Sequence, residues 1–320
     1  MKFGRMIFAC VVSMLMPLSG ALAQAAYPTQ IVKIVVPFSA GSNTDILARI
    51  LAEKLGPLWG QTVIVENKPG ISGTISAANS TADGYTLMLT SNGHTILSAL
   101  NKDLPIDPIA SFSGITEVAS VPLVLIVATD VPANNLKEFI ALAKAKPGTL
   151  NFASAGLASS NYIAGELLKQ TAAIDIMHIP YRGTPEQLTS LMRGDSQLSM
   201  AFLGTALSFI QAGKVRAVAI ATPQRSASLP DVPTFAESGL PDYKYDSWFG
   251  LMAPAKTPAP ILKKISDDIA KIVKEPEVQK RLEALGAVPV ANTPEQFDAM
   301  IRADAERYGK LLAAAGITPK

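Results

Sequence analysis

Two clusters of hydroxyl-bearing and glycine residues are the parts of this chain best suited to chemistry. The first, Ser39-Ala40-Gly41-Ser42, lies in the loop Pro37–Thr44. The second is SAGLASS, Ser154–Ser160, which repeats the tripeptide Ser-Ala-Gly at Ser154-Ala155-Gly156. Both clusters stand just before segments with helical periodicity. The first N–H groups of a helix have no intrahelical acceptor and sit at the positive end of its dipole, so they attract carboxylates and other anions. Small side chains let such a ligand approach the backbone closely. A third loop, SNGHT (Ser91–Thr95), adds Ser91 and His94 as hydrogen-bonding groups. A single loop of this kind is explained by an ordinary β–α turn, but two copies from separate halves suggest a cleft clasped from both sides.

Catalytic chemistry has little to work with. His94 and His178 are the only histidines, and no H-x-H, H-E-x-x-H or cysteine pair supplies metal-ligand spacing. G-x-S-x-G, S-x-x-K, a P-loop and G-x-G-x-x-G are all absent. No catalytic residue, cofactor or metal is expected. His178, in MHIPYRG, reads as a strand-end histidine with a structural hydrogen bond, whereas His94 suits ligand contact and turn chemistry equally. Asp45 has the S-x-x-D capping-box spacing from Ser42, and that structural role is preferred over ligand contact. Trp248 and Phe249 suit cleft lining and lobe packing equally.

The elements that must position these groups follow from periodicity. Ile31–Val36 reads as a buried strand and Asp45–Leu55 as a helix with Ile46, Leu47, Ile50, Leu51 and Leu55 on one face. Leu150–Ala153 and Asn161–Thr171 repeat this strand–loop–helix arrangement, and Tyr85–Thr90 is a further strand leading into Ser91. Strand-like and helix-like segments alternate to about Thr222, the pattern of an α/β protein with mainly parallel sheets flanked by helices. The apolar runs Pro122–Val127 and Val215–Ala221 are expected to carry the chain between two lobes. Lobe 1 is assigned to residues 24–125 and 223–320, and lobe 2 to 126–222. The tail reads as three helices, Ala259–Lys274, Pro276–Leu285 and Pro294–Ala315, each starting at or near a proline.

Residues 1–23 read as a cleavable signal peptide: basic Lys2 and Arg5, an apolar run Met6–Leu18, then Ala21-Leu22-Ala23. The expected compartment is the periplasm. Cys10, in that apolar run, is the only cysteine, so disulfides and thiol chemistry are excluded from the mature chain. With Lys2 and Arg5 removed, the 28 basic residues fall to 26, matching the 26 acidic ones. Such neutrality favours neither nucleic acid nor a membrane surface as partner. A monomer is expected.

At the level of whole motifs, the chain resembles the solute-binding receptors of tripartite tricarboxylate transporters, the Bug-type proteins. The resemblance runs from YPTQIVKIVVPFSAGSNTDILAR through GQTVIVENKPGISGT, ADGYTL, HIPYRGT, GKVRAVAI, SLPDVPTFAESGLP and SWFGLMAPAKTP to the last helix. It implies a two-lobed periplasmic-binding-protein fold of type II, with the ligand cleft between lobes. It also implies that carboxylate oxygens meet backbone and hydroxyl groups, partly through water, from the loops after the first strands of each lobe. On that basis the expected ligand-binding residues are Phe38, Ser39, Ala40, Gly41, Ser42, Asn43, Ser91, His94, Ser154, Ala155, Gly156, Ser159, Tyr162 and Leu203. The implied partners are a small organic acid and integral membrane permease subunits. A receptor that presents its ligand to a sensor kinase and an enzyme on the same scaffold are the alternatives.

The chain departs from the family pattern at several points. Ser42 stands where a second glycine is common, Leu157 and Ala158 replace Asn-Gly, Tyr162 stands where His is frequent, and Leu203 where an acidic or amide residue is frequent. These changes remove polar groups from the expected cleft. A monocarboxylate with an apolar or aromatic body is therefore expected in preference to citrate, aspartate or glutamate.

Overall fold

The computed structural model describes residues 27–157 and 159–319. The expected signal peptide and Cys10 lie outside the described residues. The first stretch of chain builds β1 (Val32–Val36), α1 (Asn43–Trp59), β2 (Val63–Asn67), α2 (Ile71–Ala78) and β3 (Thr86–Ser91). A 3₁₀ turn (Asn92–Ile96), α3 (Leu97–Leu100) and β4 (Phe112–Ser120) follow. The chain then passes into a second sheet through β5 (Leu123–Ala128), α4 (Leu136–Ala145), β6 (Asn151–Ser154), α5 (Ser160–Ala172) and β7 (Met177–Pro180). This part ends with α6 (Thr184–Arg193), β8 (Leu198–Phe202), α7 (Leu203–Gln211) and β9 (Val215–Ile220). It returns as β10 (Trp248–Pro254), α8 (Ala259–Ile272), α9 (Pro276–Ala284), β11 (Val288–Pro289) and α10 (Pro294–Ala314).

The strand orders are β11-β4-β10-β3-β1-β2 in one sheet and β7-β6-β8-β5-β9 in the other. Within each sheet β1 and β6 pair in parallel with both neighbours, which places the loops leading into α1 and α5 at the same kind of sheet edge. β5 and β10 are antiparallel to both of theirs. Each of these two strands is the first formed after the chain crosses from the other lobe, so it enters its sheet from the cleft side and runs against its neighbours. Continuous apolar sequence suits strands covered on both faces, and Leu123 to Ala128 are all buried.

Helix ends are set locally. Ser42 caps α1 by accepting from the Asp45 N–H (3.3 Å), and Gly60 ends it in the left-handed conformation at φ 62°. Leu47, Ile50, Leu51 and Leu55 of α1 are buried against the sheet. Thr293 and Gln296 form a reciprocal capping box ahead of α10, with Pro294 in its first turn.

The first crossing falls at the very start of the apolar run Pro122–Val127, and the return lies beyond Val215–Ala221. β5 and β9 are strands of the second sheet, and the first passage occurs at Val121–Pro122, before residue 125. The return comes later than residue 223, because Ile220 bridges Thr234 and its N–H donates to the Pro233 carbonyl (2.9 Å), holding that segment on the second sheet. The two passages run side by side: the Val121 N–H donates to the Ser247 carbonyl (3.0 Å) and the Ser247 hydroxyl to the Val121 carbonyl (2.7 Å). Such a paired strap is the usual geometry for two lobes that hinge around a cleft.

Candidate ligand-binding site

Beside the strap, with Phe249 two residues past Ser247 and Phe202 paired with Leu123, the loops of the two lobes meet over a small pocket. It is lined by Phe38, Ser42, Asn43 and Thr44 from the start of α1, by Ala155, Ser159, Ser160 and Asn161 from the start of α5, and by Ser91, Thr184, Phe202 and Phe249. Ser159 caps α5 as Ser42 caps α1, accepting from the Tyr162 N–H (3.2 Å). The main-chain N–H groups of Asn43 and Thr44, and those of Ser160 and Asn161, are first-turn donors with no intrahelical acceptor. Two positive helix ends therefore serve one space.

Side chains there are left unpaired. Both amide atoms of Asn43, the Ser91 Oγ and the Asn161 Oδ1 are buried without a hydrogen-bond partner among the described residues. An unpartnered buried polar atom costs ~1–3 kcal/mol, so a cluster of them around one pocket marks a place for a polar ligand. The Asn161 Nδ2 is anchored on the Met200 carbonyl (2.5 Å). Asn92 braces the site from lobe 1, its Oδ1 accepting from the Ser160 hydroxyl (2.5 Å) and its Nδ2 donating to the Asp246 carbonyl (3.0 Å). The pocket measures about 10 Å³, space for one water.

A larger chamber of about 720 Å³ adjoins it, and Phe38 and Ala155 line both. Its walls come from the loop before α2 (Pro69, Gly70, Ile71), from Pro37 and Leu97, from Gly156 and Leu157, and from the segment Pro180-Tyr181-Arg182 with Glu186.

The expected binding residues divide sharply. Phe38, Ser42, Asn43, Ser91, Ala155 and Ser159 line the inner pocket, and Gly156 lines the chamber. Ala40 and Gly41 are exposed on the outer side of the loop, where the Gly41 N–H is taken by the Asp45 carboxylate (2.9 Å). Ser39 faces the opposite lobe, its N–H donating to the Arg182 carbonyl (3.4 Å). The Ser154 hydroxyl is already engaged by the Gly156 N–H (3.1 Å) and by His178 Nε2 (2.7 Å). This gives His178 the structural bond expected of it, and burial, followed by the nearby Lys169, holds its pKa down to about 4.

His94, Tyr162 and Leu203, also expected to meet ligand, line neither cavity. The His94 ring is wholly buried in lobe 1, 2.8 Å from the Pro108 carbonyl and edge-on to Phe112. Since a carbonyl only accepts, Nε2 carries the proton, and burial keeps the ring neutral with its pKa down to about 4. Tyr162 is buried and packs against His178 (4.5 Å between ring centres), which in turn meets Phe152 (4.7 Å). Leu203 packs in the second-lobe core, while its neighbour Phe202 faces the pocket and meets Phe249 at 5.1 Å. Trp248 and Phe249 separate by strand alternation: Phe249 lines the pocket, whereas the Trp248 indole donates to Asp304 (2.7 Å) and packs on Phe297. Asp45 proves structural, with oxygens held by Arg49 (3.0 Å), Asn67 (3.0 Å) and Gly41.

Residues 47–317 match the family model described as the tripartite tricarboxylate transporter family receptor. The chain belongs to this receptor family. It is 32% identical over 295 residues to the protein BugT of Bordetella pertussis, covering 91% of this chain and 90% of BugT. The solved structure of the periplasmic binding protein BugD superposes with a TM-score of 0.85 at 33% identity, covering 92% of this chain and all of that one (100%). The R. palustris receptor Rpa4515, solved with adipate, superposes with a TM-score of 0.86 at 30% identity and covers 92% of this chain and 100% of its own. The two lobes here are those of a periplasmic binding protein of type II, and Bug-type receptors are solute-binding proteins. Among the described residues no helix is long and apolar enough to cross a membrane, and no group of His, Cys, Asp and Glu is placed to hold a metal.

Thr44, Ser160, Asn161, Thr184 and Phe202 are site residues that sequence reading did not name. For Ser160 and Asn161 a signal existed. Aligning Ser159 with Ser42 as a second cap would have placed both at the first turn, in register with Asn43 and Thr44.

Proposed function

We propose that this protein is an exported, periplasmic receptor that captures one small organic carboxylate between its lobes and delivers it to the membrane permease of a tripartite tricarboxylate transporter, without chemical conversion. One observation carries the reading: two serine-capped helix N-termini, from α1 and α5, flank a single pocket in which Asn43, Ser91 and Asn161 hold unpartnered buried polar atoms. Backbone N–H groups from two sides match the two oxygens of a carboxylate, and the helix dipoles favour its charge. Adipate in the R. palustris relative supports the same ligand class. The lining presents no nucleophile beside a base, which favours capture over catalysis. Calorimetry of the purified protein against a panel of organic acids is expected to give a stoichiometry near one, with the acid recovered intact. Turnover of the bound acid, or binding of no acid, would defeat the proposal.

A further inference from the structure

The chamber beside the inner pocket is built of different material. Phe38, Leu97 and Ala155 are buried in its wall, Ile71 and Tyr181 are half-buried, and Leu157 leaves 40% of its surface exposed. Its charged side chains, Arg182 and Glu186, are both exposed. Glu186 already accepts from the Arg182 backbone N–H (3.1 Å). An exposed cation screened by water gives a second carboxylate little, and no buried cation among the described residues lines the chamber to compensate one. Apolar surface gains on burial in proportion to its area.

Resting on the carboxylate-receptor reading above, we infer that the ligand is an amphipathic monocarboxylate. Its carboxylate occupies the pocket between the two helix ends. Its aliphatic or aromatic body passes the threshold formed by Phe38 and Ala155 and lies against Ile71, Leu97, Leu157 and Tyr181. At about 720 Å³ the chamber is of a size that encloses a small molecule, far more than acetate or malonate would fill.

The test is calorimetry on the full mature chain with straight-chain monocarboxylates from two to eight carbons, phenylpropionate, and the dicarboxylates succinate, adipate and suberate. Affinity is expected to rise about fourfold per added methylene until the chamber is filled, with each dicarboxylate weaker than the monocarboxylate of equal length. Leu157→Asn, at an exposed position where folding is not at stake, should flatten that length dependence. Asn43→Ala should lower affinity across the whole series while leaving the slope intact. A flat or inverted dependence on length, or tightest binding by a dicarboxylate, overturns this inference and leaves the receptor reading standing. Binding of no acid in the series overturns both.

Discussion

Gly183 offers the sharpest perturbation of lobe closure. It is the residue before α6, where the second lobe touches the loop leading into α1, and its φ of 173° is extended backbone that any residue adopts. Glycine is therefore there for space. A Cβ on Gly183 would stand 2.1 Å from Ser39 Oγ, 3.3 Å from Ser39 Cβ and 3.5 Å from Ser39 N. The Ser39 hydroxyl has no partner among the described residues and can rotate away, so alanine is admitted at modest cost, with the 3.3 Å contact still to be relaxed. The γ-carbons of valine have no such escape. Overpacking of this kind costs ~1–3 kcal/mol, or roughly 5- to 150-fold in Kd, because the clash exists only with the lobes together.

Gly183→Ala is thus expected near the low end of that range and Gly183→Val near the high end. Both should melt like the wild type without ligand. Calorimetry with the tightest-binding acid measures the loss. Small-angle scattering should show the radius of gyration falling on ligand addition in the wild type and less so in Gly183→Val. Adding Ser39→Gly to Gly183→Ala should restore most of the affinity, since it removes both the Oγ at 2.1 Å and the Cβ at 3.3 Å. Wild-type binding by Gly183→Val, or no recovery in the double variant, would refute closure through this contact.

Two further substitutions separate ligand contact from folding. Asn43→Ala removes an amide that pairs with nothing among the described residues, so ligand affinity should fall about tenfold while the apo melting temperature holds or rises; an equal loss in both would make Asn43 a scaffold residue. Glu117 lies on β4, where burial, followed by the charges of Asp246 and Asp304, pushes its carboxyl up to about 7 from the ordinary 4.5. The folded protein thus binds the extra proton between these values, and stability falls as pH rises through that window. Glu117→Gln should accordingly raise the melting temperature more at pH 8 than at pH 5, and an equal gain at both would refute the shift.

What the sequence revealed and what it hid have physical causes. Ser42 and Asp45 are three residues apart, and capping is a local interaction, so the Ser42 cap was legible, although α1 begins at Asn43, two residues before the Asp45 expected. Ser159 has Tyr162 rather than an acid at the matching place, so the start of α5 was read late and Ser160 was missed. Tyr162 and Leu203 were placed in the cleft by motif position, but side-chain direction follows the helices, α5 and α7, that carry them. At those positions it leads against His178 and into the second-lobe core. His94 stands in a hydroxyl-rich loop, yet its partner is the Pro108 carbonyl, a contact no spacing rule anticipates. The chamber is harder still: Ile71 and Leu97 open two helices and Leu157 and Tyr181 lie in two loops, brought together only by the order of strands in two sheets.

Asp45 poses a problem of sign, and its solution separates the two ends of the site. A carboxylate beside the start of α1 should repel an anionic ligand. Burial alone would raise the Asp45 pKa, but the Arg49 side chain, the Gly41 N–H and the Asn67 amide together hold it below its ordinary value. Its charge is thus committed to an ion pair with Arg49 (2.9 Å) and to the loop itself. In exchange Gly41 is fixed at φ 78°, a conformation that side chains rarely adopt, and Asn67 is tied also to the Phe38 carbonyl (3.2 Å). The Asp45–Arg49–Asn67 ring therefore shapes the turn that carries Phe38 and Asn43 to the pocket without touching the pocket itself. On the proposed reading, backbone N–H groups held this way would recognise a carboxylate whatever is attached to it. Discrimination among acids then falls to the side chains beyond Phe38 and Ala155, where a change such as Leu157→Asn can alter the preferred body without disturbing the anion site.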